Sequence, residues 1–290
     1  MPRRVKTGPG AVPCAKFACI MPRRFLLFLL TVLVLAGCST NNVTVDDSMK
    51  SYFDSAGVHG DFGLYDNQHG HFTIYNLQRF RDSAYQPGET FDVLQALIAL
   101  QTGVASNENS GIISISRDSV AAGPNDTHSL KDIFTGWGGS IATMALAETI
   151  GKDTLKRWLD SIHYGNRDIS GYFDTAQSPG RLTITADEQL GLIKRLYFDQ
   201  LPFFQRPQKI TKSLFHTEQN SNYLLTYKTG SWMQDGRTVA WILGWEEENK
   251  HPYFFVLNFE ANDRSLDVPA VGLQLVKKIL APMGFFAGKK

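Results

Sequence analysis

Two carboxylates three residues apart, Glu89 and Asp92, open an apolar run in which Leu94, Leu97 and Ile98 recur at helical spacing. Pro87 and Gly88 break the chain just before them, Gly103 is a helix stop, and acids in a first turn suit the helix dipole. Such a pair could do general acid and base work of the glycosidase kind, although no sugar platform stands out elsewhere. Farther along, Ser140, Tyr164 and Lys228 offer hydroxyls and an amine. His69 and His71 flank a turn; a metal there would need further ligands, so they read as exposed histidines, and neither a metal nor a cofactor is expected.

The elements that must position these residues follow from periodicity and punctuation. A polar stretch over residues 40–55 reads as a tether leading into a short first helix, and residues 61–66 and 71–76 alternate at strand period around a turn, making a hairpin. The carboxylate-bearing helix spans 86–103, and a polar loop over 105–127 contains a short extended piece at 112–115. Helices are expected at 129–140 and 141–150, with Gly136, Gly138 and Gly139 between, and at 151–159 before a turn carrying Tyr164, Gly165 and Asn166. Thr185 and Glu188 form a capping-box start to a helix through Phe198, and another helix covers 206–214. Strands are expected at 223–227, 239–245 and 253–259, the last two joined by the acidic run Glu246, Glu247, Glu248 and Asn249, read as a solvated turn. A closing helix spans 268–280. The fold class is α+β, an antiparallel sheet flanked by helices with a helical subdomain. Trp137, Trp158, Trp232, Trp241 and Trp245 read as core or rim residues.

Four groups in order carry a resemblance: the tetrad Glu89, Thr90, Phe91 and Asp92; Ser140, Ile141 and Ala142; Tyr164, Gly165 and Asn166; and Lys228, Thr229 and Gly230. Together with Gly244 and Trp245 they resemble the class D (oxacillin-hydrolysing) β-lactamases and penicillin-binding transpeptidases over about residues 60–280, and imply a β-lactamase/transpeptidase-like fold. In that family the tetrad is Ser-Thr-Phe-Lys. The serine attacks the lactam carbonyl, a base takes its proton, and backbone amides at the helix start and on an edge strand hold the oxyanion. Here Glu89 stands for the serine and Asp92 for the lysine that becomes carbamylated. The shielding tryptophan aligns with Gln177, and the arginine that grips the β-lactam carboxylate falls near Gly272.

The resemblance therefore implies a degenerate, catalytically inactive member with no assigned catalytic residue. Its vestigial cleft holds Ser140, Tyr164, Asn166, Lys228, Thr229 and Gly230. A carboxylate is a poor acyl acceptor, and an ion pair between Glu89 and Lys228 is expected to fill the oxyanion region. The alternative is a serine-type hydrolase of β-lactams or peptidoglycan peptides with a non-standard nucleophile, Ser140.

With 290 residues, 43% of them hydrophobic, the chain can bury a sizeable core, and its net charge of +1 points away from nucleic acid. Residues 21–38 have a basic start, an apolar run and a lipoprotein-like box at Leu35, Ala36, Gly37 and Cys38. Cleavage before Cys38 would leave a lipid-bearing N-terminus, and Ser39 after it implies sorting to the outer membrane, facing the periplasm. Met1-Pro2-Arg3-Arg4 recurs at Met21-Pro22-Arg23-Arg24, so the start is expected at Met21 and Cys14 and Cys19 would not be made. The expected division is 1–37 upstream residues and signal, 38–55 lipidated tether, and 56–290 the β-lactamase-like domain. Expected partners are a peptidoglycan peptide, a β-lactam or an envelope protein, with the membrane reached through lipid on Cys38.

Overall fold

Apolar runs buried on both faces build one seven-stranded sheet in the computed structural model, which describes residues 42–114, 127–171, 181–263 and 266–290. The expected signal segment with Cys38, and Gln177, lie outside the described residues. The chain begins with β1 (Val43–Val45), α1 (Lys50–Ala56), β2 (His59–Asp66), β3 (His71–Tyr75), α2 (Leu77–Asp82), β4 (Ala84–Tyr85) and α3 (Asp92–Thr102). It continues with β5 (Gly111–Ser114), β6 (Thr127–Ser129), α4 (Leu130–Phe134), α5 (Gly139–Ile150), α6 (Lys152–Ile162), β7 (Ile184–Thr185), α7 (Ala186–Tyr197) and α8 (Gln205–Leu214). It closes with β8 (His216–Gln219), β9 (Leu224–Gln234), β10 (Arg237–Glu248), β11 (His251–Ala261) and α9 (Val268–Leu280).

The sheet order is β1-β3-β2-β11-β10-β9-β8, antiparallel except where β1 runs parallel to β3. The antiparallel sheet expected from sequence is present, and β1 adds one parallel pair at its edge. The parallel strand comes from the start of the segment read as a tether, which gives β1 and a 3-10 turn at Asp47–Met49 before the short first helix, α1. Its many Asn, Asp and Ser side chains conceal two apolar residues four apart, Met49 and Phe53, that face the core.

Side chains alternate across the central strands into two cores. Trp241, Leu243, Trp245, Phe254 and Val256 pack under the helical subdomain, whereas Ala240, Ile242, Phe255, Leu257 and Phe259 pack under α1 and α9. Covered on both sides, these strands read as nearly continuous apolar sequence. The capping boxes at Ser129 with Asp132 and at Thr185 with Glu188 start α4 and α7. The helix expected over 129–140 stops at Phe134, because Gly136, Gly138 and Gly139 adopt positive φ and turn the chain before α5.

The acidic run is also corrected. The β10–β11 turn is made by Asn249 and Lys250, both left-handed, and Glu246 to Glu248 belong to β10. Glu246 and Glu248 are buried. Burial pushes the Glu246 carboxyl up to about 9, with Glu248 and Glu247 adding to the rise. Glu248 accepts backbone N–H bonds from Phe286, Lys289 (2.8 Å) and Lys290 (3.0 Å), fastening the C-terminus across the strand. Among the described residues no helix is long and apolar enough to cross a membrane.

Candidate functional site

The site is built where the start of α3 lies against β9. Gly88 has φ +53°, and a Cβ there would sit 2.3 Å from the carbonyl oxygen of Ser231. A Cβ on Gly230 would sit 2.5 Å from the backbone nitrogen of Thr90. Two residues without side chains therefore let the 3-10 turn at Gly88–Phe91 touch the strand backbone to backbone. Strand β8 pairs only with Leu224 to Tyr227, so Lys228 onward is the free stretch of β9 against which the turn packs. Lys228-Thr229-Gly230 lies inside this strand, which runs well past the 223–227 expected from sequence.

The turn is held from behind by the residues that keep its shape. Thr90 is buried; its hydroxyl donates to the Pro87 carbonyl at 2.6 Å and accepts from Gln189 Nε2 of α7 at 3.0 Å. The buried Phe91 ring packs on Tyr164 at 5.5 Å between centroids, and Trp241 Nε1 donates to the Gln86 carbonyl at 2.8 Å. Backbone position is thereby fixed before any chemistry is considered.

The two carboxylates part company. Glu89, half-buried, accepts from the Ser140 hydroxyl through Oε1 at 2.8 Å and from the Ser231 backbone N–H through Oε2 at 2.5 Å. Asp92 is 1% exposed, and its Oδ2 meets Lys228 Nζ at 3.1 Å. Lys228 also donates to the Phe134 carbonyl at 2.6 Å and lies 4.8 Å from the centre of the Phe134 ring. Burial pushes the Asp92 carboxyl up to about 6, with Lys228 holding back part of that rise.

The ion pair expected between Glu89 and Lys228 is therefore formed by Asp92 and Lys228 instead. A fully buried carboxylate without a cation is far more costly than a half-buried one with two neutral donors, so the ammonium goes to the deeper acid. Glu89 nonetheless occupies a strand amide of the kind that would hold an oxyanion.

A cavity of about 490 Å³ opens beside this cluster. Glu89, Lys228, Thr229, Gly230 and Ser231 line one wall, and Phe134, Gly136, Leu214, Tyr227 and Val268 contribute to the rest. Ser140 lies in a smaller pocket behind Glu89 with Gln86, Pro87 and Trp232. Tyr164 and Asn166 line neither space: Tyr164 is buried against Phe91, and Asn166 ties a loop by bonds to the Arg181 carbonyl (2.6 Å) and the Thr183 N–H (3.1 Å). Gly272 is no remnant of an anion clamp. A Cβ on it would lie 1.7 Å from Ile242 Cδ1, so it is a packing contact between α9 and β10.

His69 and His71 are bonded to Asp66 (2.7 Å) and Thr44 (2.9 Å). Among the described residues no group of three or more His, Cys, Asp or Glu side chains is arranged to hold a metal ion. Sequence reasoning missed Ser231, Gln189 and the Phe134 carbonyl, and took Gly88 only as a break before the helix. Adjacency to Gly230 was the signal available for Ser231, and the Pro87-Gly88 pair that for Gly88; the other two arise only from tertiary packing.

A family described as the penicillin binding protein transpeptidase domain matches residues 40–281. The chain is 30% identical over 248 residues to β-lactamase OXA-20 of Pseudomonas aeruginosa, covering 84% of this chain and 90% of that one. It is 28% identical to the regulatory protein BlaR1 of Bacillus licheniformis, covering 81% of this chain but only 38% of that longer protein. Among solved structures, the C-terminal domain of the Bacillus licheniformis BlaR penicillin-receptor superposes with a TM-score of 0.74 at 25% identity, covering 86% of this chain and 99% of that one. FUS-1 (OXA-85), a class D β-lactamase from Fusobacterium nucleatum subsp. polymorphum, has the same fold, with a TM-score of 0.72 at 24% identity, covering 85% of this chain and 100% of that one.

Proposed function

Since the chain belongs to the penicillin-binding protein transpeptidase domain family, we propose that it is a catalytically silent member working as a binding module. In this reading it is anchored to the outer membrane through lipid on Cys38 and faces the periplasm. Its cleft then receives a peptidoglycan peptide, a β-lactam or a segment of an envelope protein. The observation that carries the reading is the Glu89 carboxylate on the Ser231 N–H. It places an anion where an acyl oxygen would need a donor, at the residue from which attack would have to come. Kinship with a protein named a penicillin-receptor supports a role in ligand recognition.

One contact favours a second reading, hydrolysis with Ser140 as nucleophile. Its hydroxyl lies 2.8 Å from Glu89, which could take the proton. The same carboxylate blocks the strand amide that the resulting oxyanion would use, so the first reading is preferred. Incubation of the purified protein with a reporter penicillin, followed by intact-mass measurement and a turnover assay, tests both. The binding module predicts neither a mass increment nor turnover. An adduct mapped to Ser140, or steady turnover, establishes the enzyme instead.

A further inference from the structure

The sign of the charge left uncompensated in the cleft decides what can sit there. Of the described residues lining it, the acid and base are Glu89 and Lys228, with the imidazole of His216 at the edge. Lys228 is already committed to Asp92 at 3.1 Å, to the Phe134 carbonyl at 2.6 Å and to the face of the Phe134 ring. Among the described residues Glu89 is held by a hydroxyl and an amide, donors that fix its position without cancelling its charge. With Glu89, Asp92 and Lys228 ionised, the cluster is net negative, and no described lining residue is an arginine.

The walls add the remaining selection. Gly139, with φ +53°, presents no side chain to Glu89; even a Cβ there would stop 3.7 Å from Oε1, so the flank of the carboxylate stays open. Leu214, Tyr227, Val268 and Pro269 give apolar surface suited to methylenes. A ligand carboxylate would face Glu89 with no uncommitted lysine or arginine among the described lining residues to receive it, whereas an ammonium on an aliphatic stem would find both a partner and a lining.

We propose that this cleft selects a primary ammonium on a short aliphatic stem, as on the diamino-acid side chain of a peptide, with its nitrogen at Glu89. This rests on the reading of the cleft as a binding site and reverses the charge preference a β-lactam carboxylate would require. Glu89 is the specificity-determining residue, and Ser140 and Ser231 hold its carboxylate in place.

The test measures calorimetric affinity of the full-length protein for Nα-acetyl-lysine methylamide and for its Nε-acetylated counterpart. The free amine should bind about tenfold more tightly, the scale of one charged hydrogen bond. Glu89→Gln should reduce that preference to about twofold or less. Equal affinities, no binding of either probe, or a preference that survives Glu89→Gln overturns the proposal. If Glu89→Gln fails to fold by thermal melt, salt decides on the wild type: the preference must shrink as ionic strength rises, and one indifferent to salt overturns it. Acetyl-lysyl-D-alanyl-D-alanine run beside an amidated peptide with an internal lysine separates a wall-peptide source from a protein source. A penicillin adduct on the wild type would refute the silent cleft itself, whereas a cleft without adduct that ignores the amine sinks this proposal alone.

Discussion

Asp92→Asn isolates the energetic cost of the buried acid while keeping its shape. The Asp92 carboxyl is raised by burial from 3.8 to about 6, so the folded protein keeps a proton there that the unfolded chain has released. Its stabilising contribution is fully present below pH 3.8 and is lost as pH rises through about 6. The two affinities differ by about two pH units, which at about 1.4 kcal/mol each makes about 3 kcal/mol. Wild-type stability relative to Asp92→Asn should therefore fall by about 3 kcal/mol between pH 3 and pH 7, most steeply between pH 4 and 6. Taking the difference removes the contribution of other buried acids, such as Asp61, raised by burial to about 7. Urea unfolding of both proteins at one-unit pH intervals gives the curve. A difference flat across that range, or one that grows with pH, would refute the account of Asp92 as an acid ionised at a cost and compensated by Lys228.

Three further outcomes are expected. Glu89→Ser combined with Asp92→Lys frees the Ser231 amide and restores a hydroxyl and an amine at the helix start, so a reporter penicillin should add its mass to the double variant and not to the wild type. Gly230→Ala would place a methyl 2.5 Å from the Thr90 nitrogen and should cost about 1–3 kcal/mol in a thermal melt, by prying the turn from the strand. Glu248→Ala leaves the N–H groups of Phe286, Lys289 and Lys290 without their acceptor; about 2–3 kcal/mol of stability should be lost, and limited proteolysis should clip the C-terminus first.

Much of this architecture was legible because local signals agreed with the fold. The capping box at Thr185 with Glu188, Gly103 and the apolar cores of β10 and β11 marked their elements directly. Other parts were hidden for identifiable reasons. β1 and the 3-10 turn after it sit in polar sequence that mimics a tether, and only the spacing of Met49 and Phe53 betrays a buried side there. Glu246 and Glu248 look like solvent-loving turn residues, yet the following Asn249 and Lys250 make the turn and the C-terminus returns to cover them. In the cleft, residue order identified Glu89, Asp92, Ser140 and Lys228, but sequence could not say which acid would win the ammonium. That choice depends on depth, and depth is a property of the packed molecule.

Because Gly88 and Gly230 let two main chains touch, the mounting at residue 89 does not depend on what is mounted. A hydroxyl, a carboxylate or an amide would each be presented from the same platform, with Thr90 and Gln189 bracing it from the rear. Passage between a scaffold that transforms its guest and one that only holds it thus requires an exchange of side chains, with no refolding of the frame.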